Sequence, residues 1–262
     1  MTILSEVADP IHRPAAAVSV DAVSKVFGRG AQRTVALQNV SLDVAEGELL
    51  CILGRSGCGK STLLNLIAGL EAPTRGSINV GGRAVGMMFQ DANLFPWLTV
   101  EGNIDLALSL SGVPRSERKD RISELLELVR LPGAHRKRPH ELSGGMRQRV
   151  ALARALAQEC RILLMDEPFG ALDAITRDAM HDQTERIWAE RGLTIVFVTH
   201  NVREAARLAD RVIVMAPDPG RIASETSIDL ARPRRMEDAT VAHTAGDLHE
   251  LLREYELEAH RG

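Results

Sequence analysis

Five short apolar runs, residues 49–53, 86–89, 162–166, 193–199 and 211–216, recur along the chain between turn-forming residues. Near-continuous apolar stretches of this length read as parallel strands buried on both faces. Helical patterns at 61–69, 172–190 and 202–208 alternate with them and predict an α/β core. The interval 91–158 breaks the rhythm. It is helix-rich, and within 116–130 Ile122, Leu125, Leu126 and Val129 share one face, with Ser116 placed to cap them. An inserted α-helical lobe is therefore expected there. Near the start, 18–26 and 35–44 alternate apolar with polar up to the Glu46-Gly47 turn, as in an antiparallel edge sheet. After Gly220, the basic segment Arg232-Pro233-Arg234-Arg235 leads into a short amphipathic helix with Leu248, Leu251, Leu252 and Tyr255 on one face. The expected organisation is a flexible tail (1–17), a main domain (18–220) enclosing the helical lobe (91–158), and a C-terminal extension (221–262) too short for a regulatory domain.

Composition narrows the function. With 45% apolar residues, 262 residues suffice for a core, and a net charge of −3 leaves no broad cationic face for nucleic acid. Cys51, Cys58 and Cys160 show no metal-ligand spacing and no disulfide framework, which suits a reducing cytosol. No run approaches the ~20 apolar residues of a membrane span, and the N-terminus lacks the basic start of a signal peptide. A membrane role thus needs a partner. The basic run at 135–138 reads as a solvated face, with anionic lipid headgroups as the alternative.

The chemistry begins at GRSGCGKST, which spans Gly54, Arg55, Ser56, Gly57, Cys58, Gly59, Lys60, Ser61 and Thr62. This is a full GxxxxGK[ST] loop: its glycines let backbone N–H groups close around phosphate oxygens, Lys60 adds a point charge, and Ser61 offers a hydroxyl to Mg²⁺. The helix after it aims its positive dipole end at the same phosphates. Cys58 lies within the loop, so its alkylation is expected to block nucleotide binding, with ATP protecting. Asp166 ends one apolar run, where a carboxylate emerges beside the nucleotide and can hold Mg²⁺, and Glu167 adjoins it. Neighbouring carboxylates can divide labour between metal and proton, although a helix-start turn would also explain them. His200 follows the 193–199 run and could donate to a γ-phosphate, or cap the next helix. A second Gly-rich helix start, Ser143-Gly144-Gly145, lies some eighty residues after the first.

Leu142-Ser143-Gly144-Gly145 between that loop and Ile162 to Pro168, with the Gly170-Ala171-Leu172-Asp173 sequence following, resembles the ABC ATPases in order and spacing over about 18–222. The resemblance implies a P-loop ABC ATPase core with an N-terminal antiparallel β subdomain and an inserted α-helical subdomain. It implies ATP and Mg²⁺ as cofactors and Glu167 as general base. Gln90 corresponds to the family's γ-phosphate-sensing glutamine, a ligand of Mg²⁺ and of the attacking water, and Phe27 to its adenine-stacking aromatic. It further implies a head-to-tail dimer, each ATP lying between one copy's phosphate loop and the other's Ser143-Gly144-Gly145, with Asp173 nearby.

Asn93-Leu94-Phe95-Pro96-Trp97, the PDPGRI stretch at 217–222 and the ARPRR tail resemble the nitrate, sulfonate and taurine importer ATPases. In a chain with 3% aromatics, Phe95 and Trp97 together read as an interface anchor, with core residues of the lobe as the alternative. The partners so implied are transmembrane permease subunits and, through them, an external solute-binding protein, at the cytoplasmic face of the membrane. A soluble ABC ATPase of DNA repair or translation, or an exporter motor, remains the alternative.

Overall fold

The computed structural model describes residues 16–259. Of the expected flexible tail, 1–15 lie outside the described residues. Ala16 and Ala17 belong instead to the first strand, where Ala16 pairs with Ala45 and Ala17 is buried. In chain order the elements are β1 (Ala16–Phe27), β2 (Thr34–Ala45), β3 (Leu49–Leu53), α1 (Lys60–Ile67), β4 (Arg75–Asn79), β5 (Val85–Met88), α2 (Val100–Leu110), α3 (Arg115–Leu128) and α4 (Gly144–Leu156). They continue as β6 (Ile162–Asp166), α5 (Ala174–Arg191), β7 (Thr194–Thr199), α6 (Val202–Leu208), β8 (Arg211–Ala216), β9 (Arg221–Ser227) and α7 (Ala239–Ala259).

Two sheets result. One is antiparallel in the order β2-β1-β4; the other runs β5-β6-β7-β3-β8-β9, with its first five strands parallel and β9 antiparallel at the edge. All five residues of β3 are fully buried because both faces are covered. Its period-two alternation divides them between two cores: Leu50 and Ile52 pack with Leu64 of α1 and Val40 of the antiparallel sheet, while Leu49, Cys51 and Leu53 pack with Ile104, Leu126 and Leu152 of the helical lobe. Each such side chain contributes about 1.5–3 kcal/mol by leaving water. The lobe therefore shares its core with the sheet.

In register, Leu53 pairs with Thr199 and Asp166 with Val198, so β3, β6 and β7 end together. The loops that follow them carry Gly54 to Gly59, Glu167 and His200 to one edge of the sheet, where open parallel sheets bind ligands.

In the lobe, α2 is capped by Thr99, whose hydroxyl accepts from Gly102 N at 3.1 Å. Ser116 is not the cap of α3. That helix begins at Arg115 after Pro114, whose fixed φ of −57° ends the preceding loop without a side-chain hydrogen bond. The terminal helix α7 spans 21 residues, longer than its apolar face suggests.

The basic segment before α7 is an internal clamp. Arg234 is buried and donates to the carbonyls of Ala209 (2.7 Å), Leu230 (2.8 Å), Ile228 (3.1 Å), Ala206 (3.2 Å) and Arg207 (3.4 Å). Its planar fork thus satisfies carbonyls at the end of α6 that the helix leaves unpaired. Each buried carbonyl left without a donor would cost about 1–3 kcal/mol. Arg232 lies 4.5 Å over the Trp188 ring and pairs with Glu185 (3.0 Å) and Asp210 (2.8 Å), so the segment fastens the extension to α5 and α6.

Candidate nucleotide site

Gly57 and Gly59 take φ of +87° and +97°, a region that favours glycine. A Cβ on Gly59 would lie 2.6 Å from Leu37 Cδ2 and 2.9 Å from Ala36 O, so close packing excludes any other residue. Gly59 is the N-cap of α1, leaving the first amides of that helix free for an anion. Lys60 is buried; its Nζ donates to Gly54 O (2.7 Å) and Arg55 O (2.9 Å) and lies 3.6 Å from Glu167 Oε1.

Ser61 Oγ donates to Asp166 Oδ1 at 3.0 Å. Burial pushes the Asp166 carboxyl up, with Ser61's hydrogen bond and the charge of Lys60 opposing it and Glu167 adding to it. Glu167 sits at φ +44°, an uncommon backbone for a non-glycine residue, tied down by its N–H donating to Val198 O at 3.0 Å. Its Oε2 lies 2.9 Å from His200 Nδ1. A carboxylate only accepts, so Nδ1 donates and the ring's other nitrogen is free to face a ligand.

A cavity of about 430 Å³ joins Ser56, Gly57, Gly59, Lys60, Ser61, Thr62, Gln90, Asp166 and Glu167. Its remaining walls are residues that the motifs do not single out: Thr34, Val35 and Ala36 of β2, from the edge sheet expected to flank the nucleotide, and Asp218 and Gly220 from the turn between β8 and β9. Gly220 has no space for a side chain, since a Cβ would fall 2.3 Å from Cys58 O, and it pairs with β2 through Gln38 N (2.9 Å) and Ala36 O (3.2 Å). The PDPG sequence is thereby seated against the phosphate loop. Gln90 is held from α4, whose Gln148 Nε2 donates to Gln90 O at 2.7 Å, while Arg154 donates to Asn93 O (2.6 Å) and Ala92 O (3.0 Å).

Other expected residues lie elsewhere. Phe27 is 40% exposed beneath Lys25 Nζ (4.8 Å from its centroid) and pairs with Thr34, at the rim of the cavity. Gly54 and Arg55 serve as acceptors for Lys60. Ser143 caps α4 by accepting from Met146 N at 3.3 Å and is exposed, away from the cavity. Gly145 is buried, with Thr176 Cγ2 2.2 Å from where a Cβ would stand, which accounts for that glycine by packing against α5. Asp173 caps α5, accepting from Thr176 N at 3.0 Å, and the Thr176 hydroxyl first and this backbone bond second hold its carboxyl below the usual range.

The setting of Cys58 is that of a buried thiol. Its side chain is buried in the core cluster with Leu37 and Met215, and its N–H closes a turn onto Arg55 O at 3.3 Å. Burial pushes the thiol up, with Lys60 only partly offsetting it. Thiolate is the reactive form, so iodoacetamide at neutral pH should modify Cys58 at least about tenfold more slowly than a free cysteine, the rate rising with pH through and beyond the ordinary thiol range. Peptide mass spectrometry over time checks this; modification at the free-thiol rate with ATP protecting would support the expectation of a reactive thiol.

Residues 37–170, which supply the phosphate loop, Gln90, Ser143 to Gly145, Asp166 and Glu167, match the family model described as ABC transporter. The chain belongs to the ABC transporter family. As an ATPase of that family it binds and hydrolyses ATP. It is 47% identical over 224 residues to the aliphatic sulfonates import ATP-binding protein of Bacillus licheniformis (83% of this chain, 87% of that one). It is 46% identical over 215 residues to the nitrate import ATP-binding protein of Synechocystis sp. (79% and 81%). Among solved structures, a dimeric ATP-binding cassette in a post-hydrolysis state with ADP and phosphate matches with a TM-score of 0.73 and 34% identity, over 82% of this chain and all of that one.

Proposed function

We propose that this chain is the ATP-hydrolysing subunit of an importer for a small anion such as nitrate, a sulfonate or taurine, working as a head-to-tail dimer beneath a transmembrane permease. The convergence of Lys60, Ser61, Asp166, Glu167 and His200 on one sheet edge, with the Ser143 helix start exposed elsewhere, carries the reading. One copy then has half of each site, and two-fold symmetry brings the halves together.

In this reading the amides at the start of α1 and the Lys60 charge hold the β- and γ-phosphates, and Phe27 stacks on the adenine. Ser61 and Asp166 are hard oxygen donors 3.0 Å apart, a pair that suits Mg²⁺. No cluster of three His, Cys, Asp or Glu ligands exists among the described residues, so the rest of its shell would be phosphate oxygens, water and Gln90. Mg²⁺ would neutralise charge developing on the transferred phosphoryl group. Glu167 accepts the proton of the attacking water, and His200, oriented by Glu167, contacts the γ-phosphate.

Among the described residues no helix is long and apolar enough to cross a membrane, so association would be peripheral, at the cytoplasmic face through the permease. The docking element is the loop bearing Phe95 and Trp97. Asn103 is fully buried and pins that loop, accepting from Phe95 N (2.8 Å) and donating to Thr99 O (2.9 Å) and Phe95 O (3.3 Å). Trp97 remains 68% exposed on this rigid support, 5.4 Å from the Phe95 ring, as a protein-interface anchor would be. An external solute-binding protein would act through the permease alone.

Gentle extraction of membranes with the tagged chain, followed by mass spectrometry, tests the assignment. Co-recovery of a polytopic permease, lost on Trp97→Ala, is expected. Recovery of only ribosomes or DNA-repair factors would move the chain to the soluble class.

A further inference from the structure

We propose that Glu204, in the first turn of α6, is a positioning residue for hydrolysis, fixing the backbone on both sides of His200 relative to the loop that follows Glu167. The proposal rests on the roles given above to Glu167 and His200.

An acid in the first turn of a helix is ordinarily solvated and serves the helix dipole. Glu204 instead is 4% exposed, a costly place for a carboxylate unless it is fully bonded. Its Oε2 accepts from Thr199 Oγ1 at 2.6 Å. That hydroxyl itself accepts from Asn201 N at 3.0 Å. One oxygen thus bridges the residues before and after His200, and Glu204 sets where that oxygen lies.

The other carboxylate oxygen faces the Glu167 loop. Glu204 Oε1 lies 3.8 Å from Arg177 Nε, and Arg177 donates to Phe169 O (3.3 Å) and Leu172 O (2.7 Å). Those carbonyls lie within the segment between Glu167 and Asp173. Glu204 is thus a second link between the two loops, beside the direct contact of Glu167 with His200.

His181 completes its environment. The ring is fully buried, with Nε2 3.3 Å from Glu204 Oε1 and Nδ1 3.1 Å from Arg207 NH1. Arginine only donates, so Nδ1 accepts and the ring's hydrogen sits on Nε2, directed at Glu204. Arg207 is in turn held by Asp182, by Asp178 at 3.5 Å and by Arg234 O at 3.2 Å. Burial pushes the Glu204 carboxyl up, but the hydrogen bonds from His181 and Thr199 and the charge of Arg177 outweigh it and hold the group below the usual range.

A cavity of about 50 Å³ is lined by Glu167, Arg177, Thr199, His200 and Glu204, so these groups meet around one small space. Glu167 N–H on Val198 O (3.0 Å) and His200 Nδ1 on Glu167 Oε2 (2.9 Å) join the two loops directly, and the Glu204 bridge adds the hold on the backbone either side of His200. A displacement of about 1 Å at a catalytic group can cost of order a hundredfold in rate.

The test compares Glu204→Gln, Thr199→Val and Thr199→Ser in the full chain, reading kcat, the dissociation constant of a fluorescent ATP analogue, and the melting temperature. The glutamine would turn an amide donor toward His181 or Thr199. Valine in place of Thr199 keeps the shape and loses the hydroxyl, whereas serine there keeps the hydroxyl. Glu204→Gln and Thr199→Val should each lose at least about tenfold in kcat with nucleotide affinity within about twofold, while Thr199→Ser stays within about twofold of the parent. If Glu204→Gln does not fold, the two Thr199 variants decide. Parent turnover in Thr199→Val, or equal losses in Thr199→Val and Thr199→Ser, overturns the proposal. Glu167→Gln run in parallel separates the failures: if it is inactive the site reading stands without Glu204, and if it turns over normally the site reading itself has failed.

Discussion

Replacing Glu167 by glutamine is expected to leave ATP binding intact, to lower hydrolysis by about 10²–10⁴-fold, the usual contribution of a general base, and to trap the ATP-bound dimer. The exchange is isosteric. Its backbone at φ +44° is held by the Val198 carbonyl, whatever the side chain, so the loop should keep its course. What is lost is the proton acceptor, together with an anion lying 3.6 Å from Lys60 Nζ and 2.9 Å from His200 Nδ1. Removing that charge near the phosphate loop should, if anything, favour the bound polyphosphate. Size-exclusion chromatography with ATP, beside a phosphate-release assay, reads both consequences. Unchanged turnover would remove Glu167 from the role.

Lys60→Ala has the opposite signature, with binding failing first. A charge-assisted hydrogen bond to phosphate contributes about 1.5–3 kcal/mol, so the dissociation constant for ATP should rise roughly ten- to a hundredfold. Hydrolysis should fall below detection, because the γ-phosphate loses its main positive partner. Lys60 is buried with Gly54 O and Arg55 O as its acceptors, so some of the loss reflects a relaxed loop. Circular dichroism separates this from unfolding. Near-normal ATP affinity in a folded Lys60→Ala chain would contradict the assignment of the phosphate site.

Much of the fold is legible in sequence because the central strands are buried on both faces and leave unmistakable apolar runs. The edge strands are not. β4 (RGSIN) is mostly exposed and β9 (RIASETS) half-exposed, so neither leaves a hydrophobic signature, and their pairing with β1 and β8 comes from tertiary context. The site divides in the same way. Asp166 and Glu167 stand at the end of β6, and Lys60 and Ser61 open the helix after the β3 loop, at strand ends that the register aligns. Thr34 and Ala36 arrive from β2 and Asp218 from the turn between β8 and β9, and only the full topology places them in the cavity. The burial of Cys58 is not legible, because a motif reports the course of the backbone and says little of where a side chain inside it points. Glu204, His181, Arg207 and Arg234 look in sequence like ordinary charged helix and loop positions. Their burial follows from the packing of α5, α6 and the C-terminal segment, and no periodicity announces it.

In the proposed assembly each hydrolytic site is shared between two copies, which complementation between two inactive variants reads out. Chains carrying Lys60→Ala and chains carrying Ser143→Arg should each be inactive alone, one lacking the phosphate charge and the other blocking the start of α4. In an equal mixture, half of the dimers pair one of each, and each mixed dimer regains one intact site of two, so about a quarter of parental activity should return. No recovery on mixing, or full activity of Ser143→Arg by itself, would contradict a site built from the phosphate loop of one copy and the Ser143 helix of the other.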